Sequence, residues 1–263
     1  MNFIETEITE SINKLRGLLY QKLTAPIDAM WEQLYIASSQ HYFIENNENT
    51  IGYCCINENG DLLQIFLLDK FNSKMNLVIS ELIHSKLISS ASLSSSEPIS
   101  FNTCLSLSKG IEPNTFCFQH VNTPRDVQST LQVTLATIAH IPAIKVFLKE
   151  QVGMDDTFGY TENLVSRKEF FIVQESNVII ATSECRMSDS QPDIADIGII
   201  VNRDYQSKGI ATEVMQIQVN RVLQLNRKPI CSTTLSNVAS QKAIEKSGFY
   251  RSNIIFDMAL TDS

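Results

Sequence analysis

The segment Ile197-Gly198-Ile199-Ile200-Val201-Asn202-Arg203-Asp204-Tyr205-Gln206-Ser207-Lys208-Gly209-Ile210-Ala211-Thr212 holds the residues best suited to chemistry. It reads as a buried strand, a short polar loop and a helix start. The first turn of a helix has backbone N–H groups without partners and the positive end of the helix dipole, so it is a natural seat for an anion. Gly209 lets the backbone approach a ligand closely, Ala211 keeps the helix surface low, and Lys208 adds a flexible cation. Gln206, Ser207, Lys208, Gly209, Ile210, Ala211 and Thr212 are therefore expected to hold a phosphate or pyrophosphate. Neither the Gly-x-Gly-x-x-Gly of dinucleotide folds nor the Gly-Lys-Ser/Thr of nucleotide hydrolases is present. Alone, Gln-x-x-Gly-x-Ala also fits a plain strand-to-helix turn.

Other constellations point away from metal and nucleophile chemistry. His41, His84, His120 and His140 share no ligand spacing, and no metal is expected. The six cysteines form no Cys-x-x-Cys pair and sit in apolar runs, which suits reduced core cysteines in the cytoplasm. No Gly-x-Ser-x-Gly elbow occurs.

The elements that position the anion loop come late in the chain. Strands are expected at Glu169 to Gln174, Val178 to Met187, Asp196 to Val201, Pro229 to Thr234 and Tyr250 to Leu260. Helices are expected at Pro142 to Val152, Gly209 to Leu225 and Ala239 to Ser247, and Val127 to Ala136 reads as a strand. The first half has a similar order. Two helical segments, around Ile8 to Leu19 and Met30 to Ile36, precede strands at Tyr42 to Glu45, Thr50 to Asn57 and Asp61 to Leu68. A helix over Leu77 to Leu87 follows. Ser89 to Ser96 reads as a solvated loop, and Ile99 to Leu105 and Thr115 to Phe118 read as strands.

The halves look like copies. Tyr42-Phe43-Ile44-Glu45, turn, Ile51-Gly52-Tyr53-Cys54 matches Phe170-Phe171-Ile172-Val173, turn, Ile179-Ile180-Ala181-Thr182. Lys70-Phe71-Asn72-Ser73-Lys74-Met75-Asn76-Leu77 matches Asp204-Tyr205-Gln206-Ser207-Lys208-Gly209-Ile210-Ala211. Two domains, 1–122 and 123–263, fit a chain of 263 residues that is 43% hydrophobic. The formal net charge of −8 disfavours nucleic acid. No apolar run approaches the ~20 residues of a membrane helix, and early charges argue against a signal peptide.

The segment around Gly209 resembles motif A of the GNAT superfamily of N-acetyltransferases. Asn237-Val238-Ala239-Ser240-Gln241-Lys242-Ala243-Ile244-Glu245-Lys246-Ser247-Gly248-Phe249 resembles its motif B, in the family's order and spacing. The resemblance covers roughly Thr123 to Leu260. It implies an α/β (α+β) fold of two tandem GNAT-like domains, each a mixed, mostly antiparallel sheet flanked by helices. It also implies acetyl transfer from acetyl-coenzyme A, as co-substrate, to a small-molecule or peptide amine. On this resemblance the loop amides hold the pyrophosphate, and Ile199, Ile200 and Val201 pair with the pantetheine arm. The amide near Val201 polarises the thioester carbonyl, and Asn237 and Ser240 add cofactor contacts.

An attacking amine must lose a proton, so a base is required. Asp196, at the start of the central strand, and Glu184, inside the strand beside it, are the candidates; each also reads as an ordinary strand carboxylate. Arg186 can pair with Glu184 or meet an anionic acceptor, and Asp189 and Asp193 lie in the intervening loop. Ile244 stands where many family members have the tyrosine that protonates the leaving thiolate. Tyr250 is the remaining candidate acid, and the thiolate also leaves tolerably unaided. Ile244 motivates a second reading, a non-catalytic acyl-coenzyme A-binding or regulatory module. In the first half Met75 and Leu77 replace the glycine and alanine, and Met75 is expected to fill the pyrophosphate space, leaving that domain without cofactor.

Overall fold

The computed structural model describes residues 1–124, 126–127 and 129–261. The chain forms two compact units: Met1–Cys117 together with the chain from Ser252 onward, and Phe118–Arg251.

The first unit contains β1 (Asn2–Thr6), α1 (Glu10–Tyr20), β2 (Gln40–Asn46), β3 (Asn49–Ile56) and β4 (Asp61–Leu67). It continues with α2 (Met75–His84), β5 (Ser90–Ser94), α3 (Pro98–Leu107) and most of β6 (Gly110–His120). Helix α1 starts where the Thr9 hydroxyl accepts the Ile12 N–H at 3.3 Å. The β2–β3 hairpin turns through Asn47 and Glu48, both at positive φ (49° and 62°), as a two-residue turn that matches strand twist requires. Strands β1 to β4 are antiparallel neighbours, whereas β4 and β5 are parallel and pair only at Asp61–Leu62 against Ser90–Ala91. Helix α2 packs Val78, Ile79 and Leu82 against Ile44, Cys54 and Ile65 in the main core.

Several local readings change. Residues Asn2–Thr6 form a strand, with Phe3 opposite Ile44, and Trp31–Ile36 form one π-helical turn. The serine-rich stretch is a strand rather than a solvated loop. Ala91 and Leu93 are fully buried, while Ser90 and Ser92 bond to Asp61 and Asp257. Ile99 to Leu105 is helical, because Pro98 suits a first helical turn and Ser100 and Cys104 bury one face. The strand expected over Val127 to Ala136 is reduced to Thr134–Leu135 (β7), and residue 128 lies outside the described residues.

Buried ionisable groups give this unit an unusual pH response. His41 Nδ1 donates to the Ser39 carbonyl at 3.0 Å, so Nε2 accepts from Arg16 Nη2 at 2.7 Å. Burial, then the Arg16 charge, pull the imidazole down to about 4. Burial pushes the Glu97 carboxyl up to about 8. His41 stability is present above pH ~6.5 and is lost as pH falls through about 4. Glu97 stability is present below pH ~4.5 and is lost as pH rises through about 8. Urea unfolding should therefore show stability declining between pH 6.5 and 8 by up to ~2 kcal/mol, with Glu97→Gln flattening that decline. An unchanged slope in Glu97→Gln would assign it to other groups.

The second unit contains β7, α4 (Ile141–Val152), α5 (Tyr160–Ser166), β8 (Phe170–Glu175), β9 (Val178–Met187) and β10 (Ile194–Val201). It continues with α6 (Ile210–Gln224), β11 (Lys228–Thr234), α7 (Val238–Lys246) and the start of β12 (Phe249–Ala259). Its strands run in the order β11-β10-β9-β8-β7. The β8–β9 hairpin repeats the device of the first unit, with Ser176 and Asn177 at positive φ (49° and 66°). The rest of β12 pairs with β5, placing Phe256 opposite Leu93, so the end of the chain counts with the first unit. All six cysteines are buried, and none forms a disulfide among the described residues.

Candidate acetyl-transfer site

The loop before α6 has the form an anion seat needs. Asn202 accepts the Asp204 N–H at 3.0 Å and starts a 3-10 turn over Arg203–Tyr205. The chain then leaves helical geometry: Gln206 is extended, Ser207 has φ 63° and Gly209 has φ 84°. The first backbone bond of α6 runs from Glu213 N–H to the Gly209 carbonyl at 3.1 Å. Among the described residues, the N–H groups of residues 207 to 212 have no recorded acceptor, and no side chain caps the helix. A Cβ at Gly209 would meet nothing within 4 Å, so the space there is open. Lys208 Nζ lies over the Tyr205 ring, 4.6 Å from its centroid, at the loop's edge.

Strand β10 supplies a second feature, an unpaired backbone edge. It pairs along Ala195–Val201 with β9, but with β11 only over Ile194–Asp196. The Asn202 N–H reaches Ile180 on the β9 side, and the Asp193 carbonyl accepts Lys228 N–H on the β11 side. By strand alternation the N–H and C=O groups of Ile197, Ile199 and Val201 therefore face the gap where β11 diverges. Their side chains lean toward α6, with Ile199 and Val201 packing beside Ile210 and Val214. Ile200 faces the opposite side of the sheet.

On that opposite side lies a buried charged cluster. Arg186 stands across from Asp196, and Glu184 across from Gly198. Arg186 Nη1 donates to Glu184 Oε2, and Nη2 donates to Asp196 Oδ2 at 3.0 Å. The Tyr160 hydroxyl donates to Glu184 Oε2 at 2.8 Å. Glu184 and Asp196 are 6% and 0% exposed, which makes them paired interior carboxylates rather than solvated strand-edge ones. A Cβ at Gly198 would stand 3.0 Å from Arg186 Nη1, so the glycine makes room for the guanidinium. Glu184 Oε1 has no recorded bond among the described residues. Tyr160 escaped the sequence reading because α5 is short and lies 24 residues from Glu184. Asp189 pairs with Arg167 outside this cluster, at 2.9 Å.

Residues 8–121 and, separately, residues 135–250 match family models described as Acetyltransferase (GNAT) domain. The chain belongs to the GNAT acetyltransferase family. It carries two of the family's domains in tandem. An acetyltransferase from the GNAT family from Colwellia psychrerythraea is similar over 99% of this chain and 100% of its own, with 27% identity and a TM-score of 0.92. A GCN5-related N-acetyltransferase from Sphaerobacter thermophilus shares the fold at 11% identity and a TM-score of 0.68, over 99% of this chain and 96% of its own. A tandem GNAT protein from the clavulanic acid biosynthesis pathway does so at 9% identity and 0.64, over 100% and 99%. No curated protein matches the chain.

The other expected residues of this GNAT domain are placed as follows. Asn237 is the N-cap of α7, its Oδ1 accepting the Ser240 N–H at 3.1 Å, so only its amide nitrogen is left to donate to a ligand. Ser240 is half-buried in the same turn. Ile244 is buried at 2% exposure and packs as a core residue. Tyr250 is 49% exposed on β12 and has no hydrogen bond to Glu184 or Asp196 among the described residues. The structure thus brings Glu184 and Asp196 together through Arg186 and leaves Tyr250 out of that network.

The corresponding loop in the first GNAT unit differs for a reason other than the one expected from Met75. That side chain is 4% exposed and lies in the core, not in the loop. Instead a 3-10 helix, Asp69–Lys74, runs straight into α2, with Lys74 and Met75 both helical. Phe71 and Met75 N–H groups are bonded to Leu68 and Asn72. Without a left-handed glycine to break the helix, its first turn presents few free donors.

Proposed function

We propose that the second unit transfers an acetyl group from acetyl-coenzyme A to a primary amine, by direct attack in a ternary complex. The observation that carries this reading is the run of free N–H groups at residues 207 to 212 beside the open edge of β10. Those amides would bind the pyrophosphate, with Gln206 and Lys208 flanking it. Ile199 and Val201 would bond the pantetheine amides as an added strand does, and the Val201 N–H suits a developing oxyanion. Ile200 contributes its chain position on this strand rather than its side chain. Asn237 and Ser240 remain candidate cofactor contacts at α7. Glu184, through Oε1, is the base we favour, directly or through a water, with Asp196 second and Tyr250 the candidate acid. The acceptor is a small-molecule or peptide amine, in keeping with the acidic chain, and buried cysteines without disulfides suit a cytoplasmic setting. Among the described residues, no helix is long and apolar enough to cross a membrane.

The test is release of free thiol from acetyl-coenzyme A against a panel of polyamines, amino acids, aminoglycosides and peptide amines. Amine-dependent thiol release supports transfer. Tight coenzyme A binding with no release against any amine favours the non-catalytic acyl-coenzyme A-binding reading, which the buried Ile244 motivates. Calorimetry on the full chain should give about one coenzyme A per chain, since among the described residues the loop before α6 presents the run of free donors that its counterpart before α2 lacks. Two sites would show that the first unit binds it as well.

A further inference from the structure

A small, mainly apolar cavity lies within the first unit, with Asp28, Trp31, Ser94, Glu97, Asn253 and Ile255 among its lining residues. Its volume of about 10 Å³ matches one water-sized group. Asp28 is 7% exposed; its Oδ1 accepts the Trp31 N–H at 2.8 Å, and its Oδ2 has no hydrogen-bond partner among the described residues. Glu97 is 4% exposed, and among the described residues its carboxyl hydrogen-bonds only with the Ser100 hydroxyl, at 3.3 Å from Oε2. Asn253 spends an amide hydrogen on Ser94 Oγ at 2.8 Å and its Oδ1 on the Ser252 hydroxyl at 2.7 Å. Among the described residues, no lysine or arginine is ion-paired with either carboxyl.

Asp28 is a buried carboxylate with neither a cation nor a full set of donors among the described residues, which is costly, and a water would satisfy its hydrogen bonds but not its charge. An alkylammonium head has three donors, no acceptor and about the size of a water. Trp31 adds an aromatic wall of the kind cations favour. Calcium and magnesium need about six or more oxygen ligands or a wide shell of water, for which there is no room, and among the described residues no group of three or more His, Cys, Asp or Glu could hold a metal ion here. We infer that this cavity binds the terminal ammonium group of a small primary amine, with Asp28 Oδ2 and the Glu97 carboxylate as its acceptors. The cavity is lined by residues of the first unit and does not depend on the transfer reaction.

Proton linkage gives the binding a signature. The groups interacting with Glu97 are the Ser100 hydroxyl, Tyr53 and Cys55 on β3 and Cys104 on α3; Asp28 lines the same cavity. None of these is cationic, and Arg16, the nearby cation on α1, bonds His41. With Glu97 near 8 when free, an ammonium beside it draws the carboxyl down, so binding at pH 7 releases close to one proton.

The experiment titrates the full chain with ethylammonium chloride at pH 7, by calorimetry in two buffers of different ionisation heat. Tetraethylammonium chloride is the control, being too large and lacking donors. Saturable ethylammonium binding with proton release is expected. It should weaken at least tenfold in Asp28→Asn and in Glu97→Gln, with coenzyme A affinity within twofold of the parent. A parallel melting series on the unaltered protein should show stabilisation by ethylammonium and none by tetraethylammonium, which decides the matter even if a variant does not fold. No ethylammonium binding, or binding unchanged by both substitutions, overturns the inference and leaves a water site; failure of the unaltered protein to bind coenzyme A would instead count against the acetyl-transfer reading.

Discussion

Replacing Gly209 with glutamate is expected to abolish coenzyme A binding while leaving a folded protein. Gly209 sits at φ 84°, where a side chain costs roughly 1–2 kcal/mol of backbone strain. A Cβ there meets nothing within 4 Å, so no further clash is added. The new carboxylate would lie among the free N–H groups of residues 207 to 212 and act as a resident anion. It would both occupy the seat and repel a pyrophosphate. We expect affinity to fall at least 100-fold by calorimetry, with melting lowered by a few degrees. Gly209→Ala carries the strain without the charge and should lose far less. A folded Gly209→Glu protein with parental affinity removes this loop from the site.

Glu184→Gln should lower turnover by ~100-fold or more with coenzyme A affinity nearly unchanged. Glutamine keeps the shape of the side chain, and its carbonyl oxygen can still accept from Tyr160. Arg186 keeps Asp196 as its partner, at 3.0 Å, so the guanidinium is not stranded. What is lost is a charged acceptor able to take a proton from the amine. Asp196→Asn should cost less, because Asp196 is fully buried. Tyr160→Phe removes only an orienting hydrogen bond and should reduce turnover by ~10-fold at most. Full turnover in Glu184→Gln with the true acceptor would make Glu184 an ion-pair partner of Arg186 and nothing more.

What was legible in the sequence was local. Ser207 and Gly209 interrupt helical geometry within a few residues, so the anion loop announces itself without reference to the rest of the chain. The hairpin turns at Asn47-Glu48 and Ser176-Asn177 are equally local, and the repeat of strand, loop and helix showed that the two halves resemble each other. The spacing from Gly209 to Asn237 and Phe249 carried the family resemblance.

Tertiary structure decided the features that depend on distant partners. Ser90–Ser94 looks solvated until Asp61 and Asp257 accept its hydroxyls and its alternate residues enter the core. Residues 98–107 look strand-like by composition, yet burial selects the Ser100 and Cys104 face of a helix. Strand β12 follows the second repeat in sequence, but its backbone bonds to β5 draw its end into the first unit. Glu184 and Asp196 were visible as carboxylates on neighbouring strands; their joint hold on Arg186, with Tyr160 as a third partner, required α5 and the β9–β10 register. The Asp28–Glu97 cavity is assembled from four separate stretches of chain, near residues 28, 97, 117 and 253. Strand and helix periodicity records which face of an element is apolar. It does not record which other element supplies a hydrogen-bond partner or a counter-charge, and at these sites that partner determines the chemistry.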